Sequence, residues 1–173
     1  GTPDGTRPGT YYAHLSDMTA MPKNQLEVIA YHEGLPGHHM QISIAQELKD
    51  IPKFRTQAGF TAYSEGWALY SEALATEIPG TYQDPYNRFG QLTSEIWRAI
   101  RLVVDTGLHS KGWTEQEAID FFMENSPEPL ESVVSEIQRY IVMPGQATSY
   151  KIGMLKIQEL RKRAEESLAL IHI

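Results

Sequence analysis

The chain contains no cysteine. That excludes disulfides, thiolate metal sites and a cysteine nucleophile, and it leaves reducing and oxidising compartments equally open. No block of lysine or arginine occurs either. With Lys+Arg 15 against Asp+Glu 22 the formal charge is -7 at pH 7, so a nucleic-acid backbone would be repelled rather than gripped. No apolar run approaches the ~20 residues that a membrane span needs, and the opening residues 1–8, with two prolines and two glycines, do not read as a signal peptide. Repeats, low-complexity segments and linkers are missing too. What is present is a chain of 173 residues, 41% hydrophobic, enough for one ordinary core and hence for a single domain over residues 1–173.

The pattern of apolar residues is mostly helical. Residues 10–15 (Thr-Tyr-Tyr-Ala-His-Leu) are the exception, a β-prone run that predicts one short N-terminal edge strand. Asn24 with Glu27 forms a capping-box pattern that would open a helix. Leu26, Ile29 and Ala30 continue as Met40, Ile44, Ala45 and Leu48 at helical spacing, interrupted by residues 34–37, so this helix must bulge or kink. Further helices are expected over residues 61–78, 86–108, from the Thr114/Glu117 capping box to Met123, over 130–142 and from 147 to about 168. The fold class is therefore mainly α. Residues 169–173 are apolar at the end of the last helix, where a domain usually ends on a polar segment, and the expectation is a fragment of something longer.

Tyr31-His32-Glu33-Gly34-Leu35-Pro36-Gly37-His38-His39-Met40-Gln41 is the stretch that packing does not explain, with three of the six histidines and an acid within eight residues. Zinc takes imidazole nitrogens and carboxylate oxygens at about 2 Å, and the common helical arrangement is His-Glu-x-x-His, whose Glu takes a proton from metal-bound water. Here the spacing is two residues longer. On a regular helix His38 would lie about 120° from His32, and His39, though aligned, about 10 Å along the axis. Neither pair could share an ion unless the helix widens. Pro36, which removes an amide donor, and Gly34 and Gly37, which tolerate unusual dihedrals, sit where it would have to.

A third ligand must come from elsewhere. Glu65 lies on the next long helix, 27 residues after His38, beside Gly66, which permits close helix–helix approach. Glu72 shares its face two turns on, too far for the same ion but suited to orienting a ligand. Arg101, Asp105 and His109 form a polar stripe at i, i+4 and i+8 inside an apolar helix. Asp105 is expected either to hold a ligand imidazole, with His109 near substrate, or to form with His109 an internal ion pair that ties helices together. Trp67, Tyr63 and Tyr70 read as core, and His14 and His172 as incidental.

Three motifs together, His32-Glu33 to Gln41, Glu65-Gly66-Trp67-Ala68-Leu69-Tyr70, and Pro144-Gly145-Gln146-Ala147 with Tyr150-Lys151-Ile152-Gly153, resemble the bacterial family known as "domain of unknown function 885". That family in turn resembles the gluzincin zinc metallopeptidases. The resemblance spans almost the whole chain, and the family's proteins are much longer. It implies a zincin-like helical catalytic fragment lacking an N-terminal helical part and a C-terminal end. It implies Zn2+ held by His32, His38 and Glu65, with Glu33 as general base and a peptide or oligopeptide as substrate. The longer spacing departs from the peptidase pattern and leaves His38 and His39 in competition. His38 is favoured because it follows Gly37, as the second ligand follows glycine in related motifs. By the same resemblance residues 10–15 would pair with an extended peptide, and Tyr150 would donate to the oxyanion, with Gln146 and Arg139 as weaker candidates. The rival reading is a peptidase-like fold kept as an inactive peptide-binding module. A carboxylate-bridged di-iron bundle needs Glu-x-x-His pairs, which the chain lacks.

Overall fold

The computed structural model describes residues 1–2, 5–12 and 22–169. Eight α-helices follow one another: α1 (Lys23–Glu33), α2 (His38–Glu47), α3 (Phe54–Gln57), α4 (Thr61–Leu74), α5 (Pro85–Ser110), α6 (Glu115–Asn125), α7 (Leu130–Val142) and α8 (Gln146–Ala169). A short 3-10 turn, Ala75–Glu77, extends α4. No strand occurs among the described residues. The edge strand expected over 10–15 is corrected for its first half, since residues 10–12 are irregular, while 13–15 lie outside the described residues. So do His14, His172 and residues 170–173 of the apolar end.

Helix starts follow local chemistry where a side chain is free to cap. Thr114 accepts from the Glu117 amide and Glu117 returns the bond to the Thr114 amide, the reciprocal arrangement expected. At α5, Asp84 accepts from the Tyr86 amide, with Pro85 at the first helical position. The capping box expected at Asn24 does not form: α1 begins behind Pro22 without a side-chain cap. Glu27 is engaged elsewhere, accepting from Tyr31 Oη (2.9 Å), the Tyr82 amide (2.7 Å) and Asn87 Nδ2 (2.6 Å), and so ties α1 to the segment leading into α5.

The main apolar core lies where α5, α6, α7 and the start of α8 meet, with Ile100, Val104, Phe122, Val133, Ile137 and Tyr140 buried together. Burial of each large side chain contributes roughly 1.5–3 kcal/mol. This core anchors the lower half of α5; the upper half of α5 packs on α1, and α4 packs along α8. The α4–α8 contact is unusually close. A Cβ added at Gly66 would fall 2.5 Å from Gly153 Cα, and one at Gly153 would collide with the Ala62 carbonyl, so both positions require glycine. Close approach brings Glu65 on α4 and Tyr150 on α8 to the same end of α1.

Candidate metal centre

The irregular stretch does not widen one helix, as the sequence suggests; it divides it. α1 stops at Glu33, residues 34–37 form a turn containing a cis Leu35–Pro36 peptide, and α2 starts at His38. The turn folds back over the end of α1 so tightly that a Cβ on Gly37 would lie inside contact distance of the Tyr31 and His32 carbonyls. It is fastened to α4 through the Pro36 carbonyl, which accepts from Trp67 Nε1 (2.8 Å) and Ser71 Oγ (3.3 Å). Trp67 thus has a specific structural task. Tyr70 is core, as expected, whereas Tyr63 is 58% exposed.

With the turn in place His32 and His38 come edge to face, ring centroids 4.9 Å apart. Glu65 Oε2 lies 3.5 Å from His32 Nε2 and 3.3 Å from His38 Nε2. One ligand atom from each of the three residues falls within 4.8 Å of the others. Two ligands each about 2.0–2.1 Å from a tetrahedral ion sit roughly 3.3–3.4 Å apart. A charge-assisted hydrogen bond, by contrast, closes to about 2.7–2.9 Å. The separations at Glu65 are those of a long hydrogen bond and are also compatible with ligands around an ion.

The remaining nitrogen of His32 is already used. Its Nδ1 lies 2.6 Å from Glu72 Oε1, and Glu72, fully buried, takes a second bond from Ser94 Oγ at 2.6 Å. This leaves Nε2 directed to Glu65, the carboxylate–histidine arrangement that orients metal-binding imidazoles. Burial lowers the His32 pKa, but Glu65 and Glu72 outweigh it and the net shift is upward. Burial likewise raises that of Glu65, and the two imidazoles overcome it, so the carboxylate stays ionised far below the usual range. For His38 the orienting group is weaker: Nδ1 is 3.4 Å from Gln41 Oε1, whose amide donates to the Tyr63 carbonyl.

The other candidates distribute as follows. His39 is exposed, next to Gly9, and stands outside the cluster. Glu33 is exposed and has no hydrogen bond among the described residues; it borders two clefts, one of about 320 Å³ with His32, Arg98, Arg101 and Tyr150, the other of about 630 Å³ with Tyr11, Tyr12, His38 and His39. Tyr150 stacks against His32 with centroids 6.3 Å apart. Gln146 donates to Tyr150 Oη (3.3 Å), and Arg139 donates to Gln146 Oε1 (3.1 Å), so these two residues reach the cluster through Tyr150.

Two expectations need correction. Asp105 touches neither ligand imidazole; it accepts the Gly145 amide at 3.0 Å and lies 3.8 Å from His109 Nε2, because the turn before α8 needs an acceptor there. His109 donates to the Tyr140 carbonyl (2.9 Å), closing the end of α7. Glu72 occupies the position expected of Asp105. Ser94 and Arg98 escaped the sequence reading altogether. Their spacing from Arg101 on one face of α5 was the available signal.

The chain belongs to the bacterial family described as "Bacterial protein of unknown function (DUF885)", whose model matches residues 1–169. It is similar to a crystal structure described as that of "the putative lipoprotein from Colwellia psychrerythraea", with 48% sequence identity and a TM-score of 0.91; the match covers 95% of this chain and 28% of that one. No curated protein matches. Among the described residues, no helix is long and apolar enough to cross a membrane.

Proposed function

We propose that this chain carries the catalytic centre of a zinc-dependent peptidase. The observation that supports it most is the donor set: two imidazole nitrogens and a carboxylate oxygen within 4.8 Å of one another, one imidazole fixed from behind by a buried carboxylate. Two histidines and a glutamate suit catalytic zinc with a position left for water. The resemblance of the motif order to gluzincins supports the same choice. When bound, zinc acidifies water and polarises a carbonyl. Glu33, at the rim shared by both clefts, receives the water's proton and hands it to the leaving amine. Tyr150, stacked against His32, donates its phenolic hydrogen to the carbonyl oxygen as negative charge develops. The clefts on either side of Glu33 take the two halves of a peptide.

Elemental analysis of full-length protein purified without chelator tests this reading. About one zinc per chain is expected, lost in His32→Ala; protein without zinc, unchanged by that substitution, overturns it. A second reading, a module that binds peptide without cleaving it, draws on the exposure of Glu33 and its lack of a hydrogen bond. Peptide hydrolysis that disappears in a zinc-retaining Glu33→Gln variant decides for the enzyme; hydrolysis absent from zinc-loaded wild type decides for the module.

A further inference from the structure

The smaller cleft beside Glu33 has a wall with more donors than acceptors. Arg98 and Arg101 line it together with His32 and Tyr150. Their guanidinium carbons lie 5.8 and 4.7 Å from the centroid of the Tyr150 ring. Arg101 is 5% exposed and is paired with Glu136 and Tyr140, yet its Nη1 has no hydrogen-bond partner among the described residues. Arg98 donates to the Ser94 carbonyl and hydroxyl, has no carboxylate within ion-pair distance among the described residues, and leaves Nε without a partner. Unpaired buried donors are rare enough that each calls for a cause. Among the described residues Glu136 is the one carboxylate paired with these guanidinium groups, and it is shared with Arg139. Across the cleft Glu128 is held by Gln25, and burial raises its pKa, which weakens it as a counter-charge.

We infer that Arg98 and Arg101 form a subsite for a carboxylate of the substrate, set beside the reacting carbonyl. This deepens the peptidase reading and rests on it. A carboxylate is planar and singly charged, which matches a guanidinium edge. A phosphate would bring a second charge into a cleft of about 320 Å³ that Glu33 and Glu128 also line. The spacings from His32 to Tyr150 and from Tyr150 to Arg101 place the guanidinium within about 11 Å of the His32 ring, the reach of about three extended residues. The carboxylate is thus the peptide's own C-terminus or an acidic side chain one to three residues from the cleaved bond.

The test is calorimetric binding to zinc-loaded, full-length Glu33→Gln protein. Three probes are compared: an N-acetyl tripeptide acid, its C-terminal amide, and an amide carrying glutamate in place of one alanine. At least tenfold tighter binding of one carboxylate-bearing probe than of the plain amide is expected; which one identifies the source of the carboxylate. Adding Arg98→Gln should bring the ratio to within twofold at unchanged zinc content. Equal affinities, no binding of any probe, or a ratio that survives both Arg98→Gln and Arg101→Gln overturns the subsite. Hydrolysis by wild type is scored separately. Carboxylate preference without hydrolysis removes the peptidase reading and keeps the subsite, whereas hydrolysis of acids and amides alike does the reverse.

Discussion

Two carboxylates in this molecule, Glu65 and Glu136, each gather several donors, and they do so at different distances. Glu136 Oε2 accepts from Arg101 Nη2 at 2.7 Å, Arg139 Nη2 at 2.8 Å and Tyr140 Oη at 2.7 Å. That cluster is closed, with hydrogen atoms filling the space between donors and acceptor. Around Glu65 the separations are 3.5 and 3.3 Å, longer than strong charge-assisted hydrogen bonds and compatible with atoms that share an ion. Backbone geometry accounts for the difference. Arg101, Arg139 and Tyr140 have flexible or long side chains that can close onto their acceptor. The imidazoles of His32 and His38 are held, one by Glu72 from behind and the other by its place at the first residue of α2. A group of titratable residues is informative when it has been prevented from collapsing.

Substitution of the two acids breaks or sharpens this contrast. The largest expected effect is loss of zinc from full-length protein in Glu65→Gln, with the metal retained in Glu136→Gln; elemental analysis of both variants checks it, and zinc loss in both would erase the distinction. Next, Glu136→Gln should lower unfolding stability by about 3 kcal/mol, because it strands the buried guanidinium of Arg101, as read from urea unfolding. Glu72→Gln should weaken zinc binding by about 10–100-fold while leaving the site able to fill, measured by competition with a chromogenic chelator.

The smallest effect concerns pH. Burial raises the pKa of Glu136, but Arg139 and Arg101 more than compensate and hold it below the ordinary glutamate range. A carboxylate whose folded pKa is depressed stabilises the fold above its unfolded pKa, and that contribution is lost as pH falls through the folded value. Unfolding midpoints of metal-free protein should therefore drop more steeply from pH 5 towards pH 3 in the wild type than in Glu136→Gln. Parallel curves would show that Glu136 is not the group responsible.

Much of the architecture was legible in the sequence because it rests on local signals. The Thr114/Glu117 capping box and the helix over 130–142 are written in caps and breakers that act over a few residues. The Asn24/Glu27 pattern has the same local signature and failed, since Glu27 is claimed by Tyr82 and Asn87, distant in sequence. Likewise the stripe of Arg101, Asp105 and His109 was visible as a face of α5, but periodicity says which residues share a face and not what faces them. Glu72 rather than Asp105 reaches His32 because α4, drawn close to α8 by Gly66 and Gly153, lies against α1 at that level.

The sequence by itself determined the mainly helical fold, the interruption at residues 34–37 and the short set of acids and histidines from which a metal site could be built. Tertiary structure decided whether the interruption bends a helix or divides it, placed His38 rather than His39 with His32 and Glu65, and gave His32 its buried carboxylate. Caps and periodicity act within a few residues along the chain, whereas the separation of ligand atoms is set by helix packing between residues dozens of positions apart.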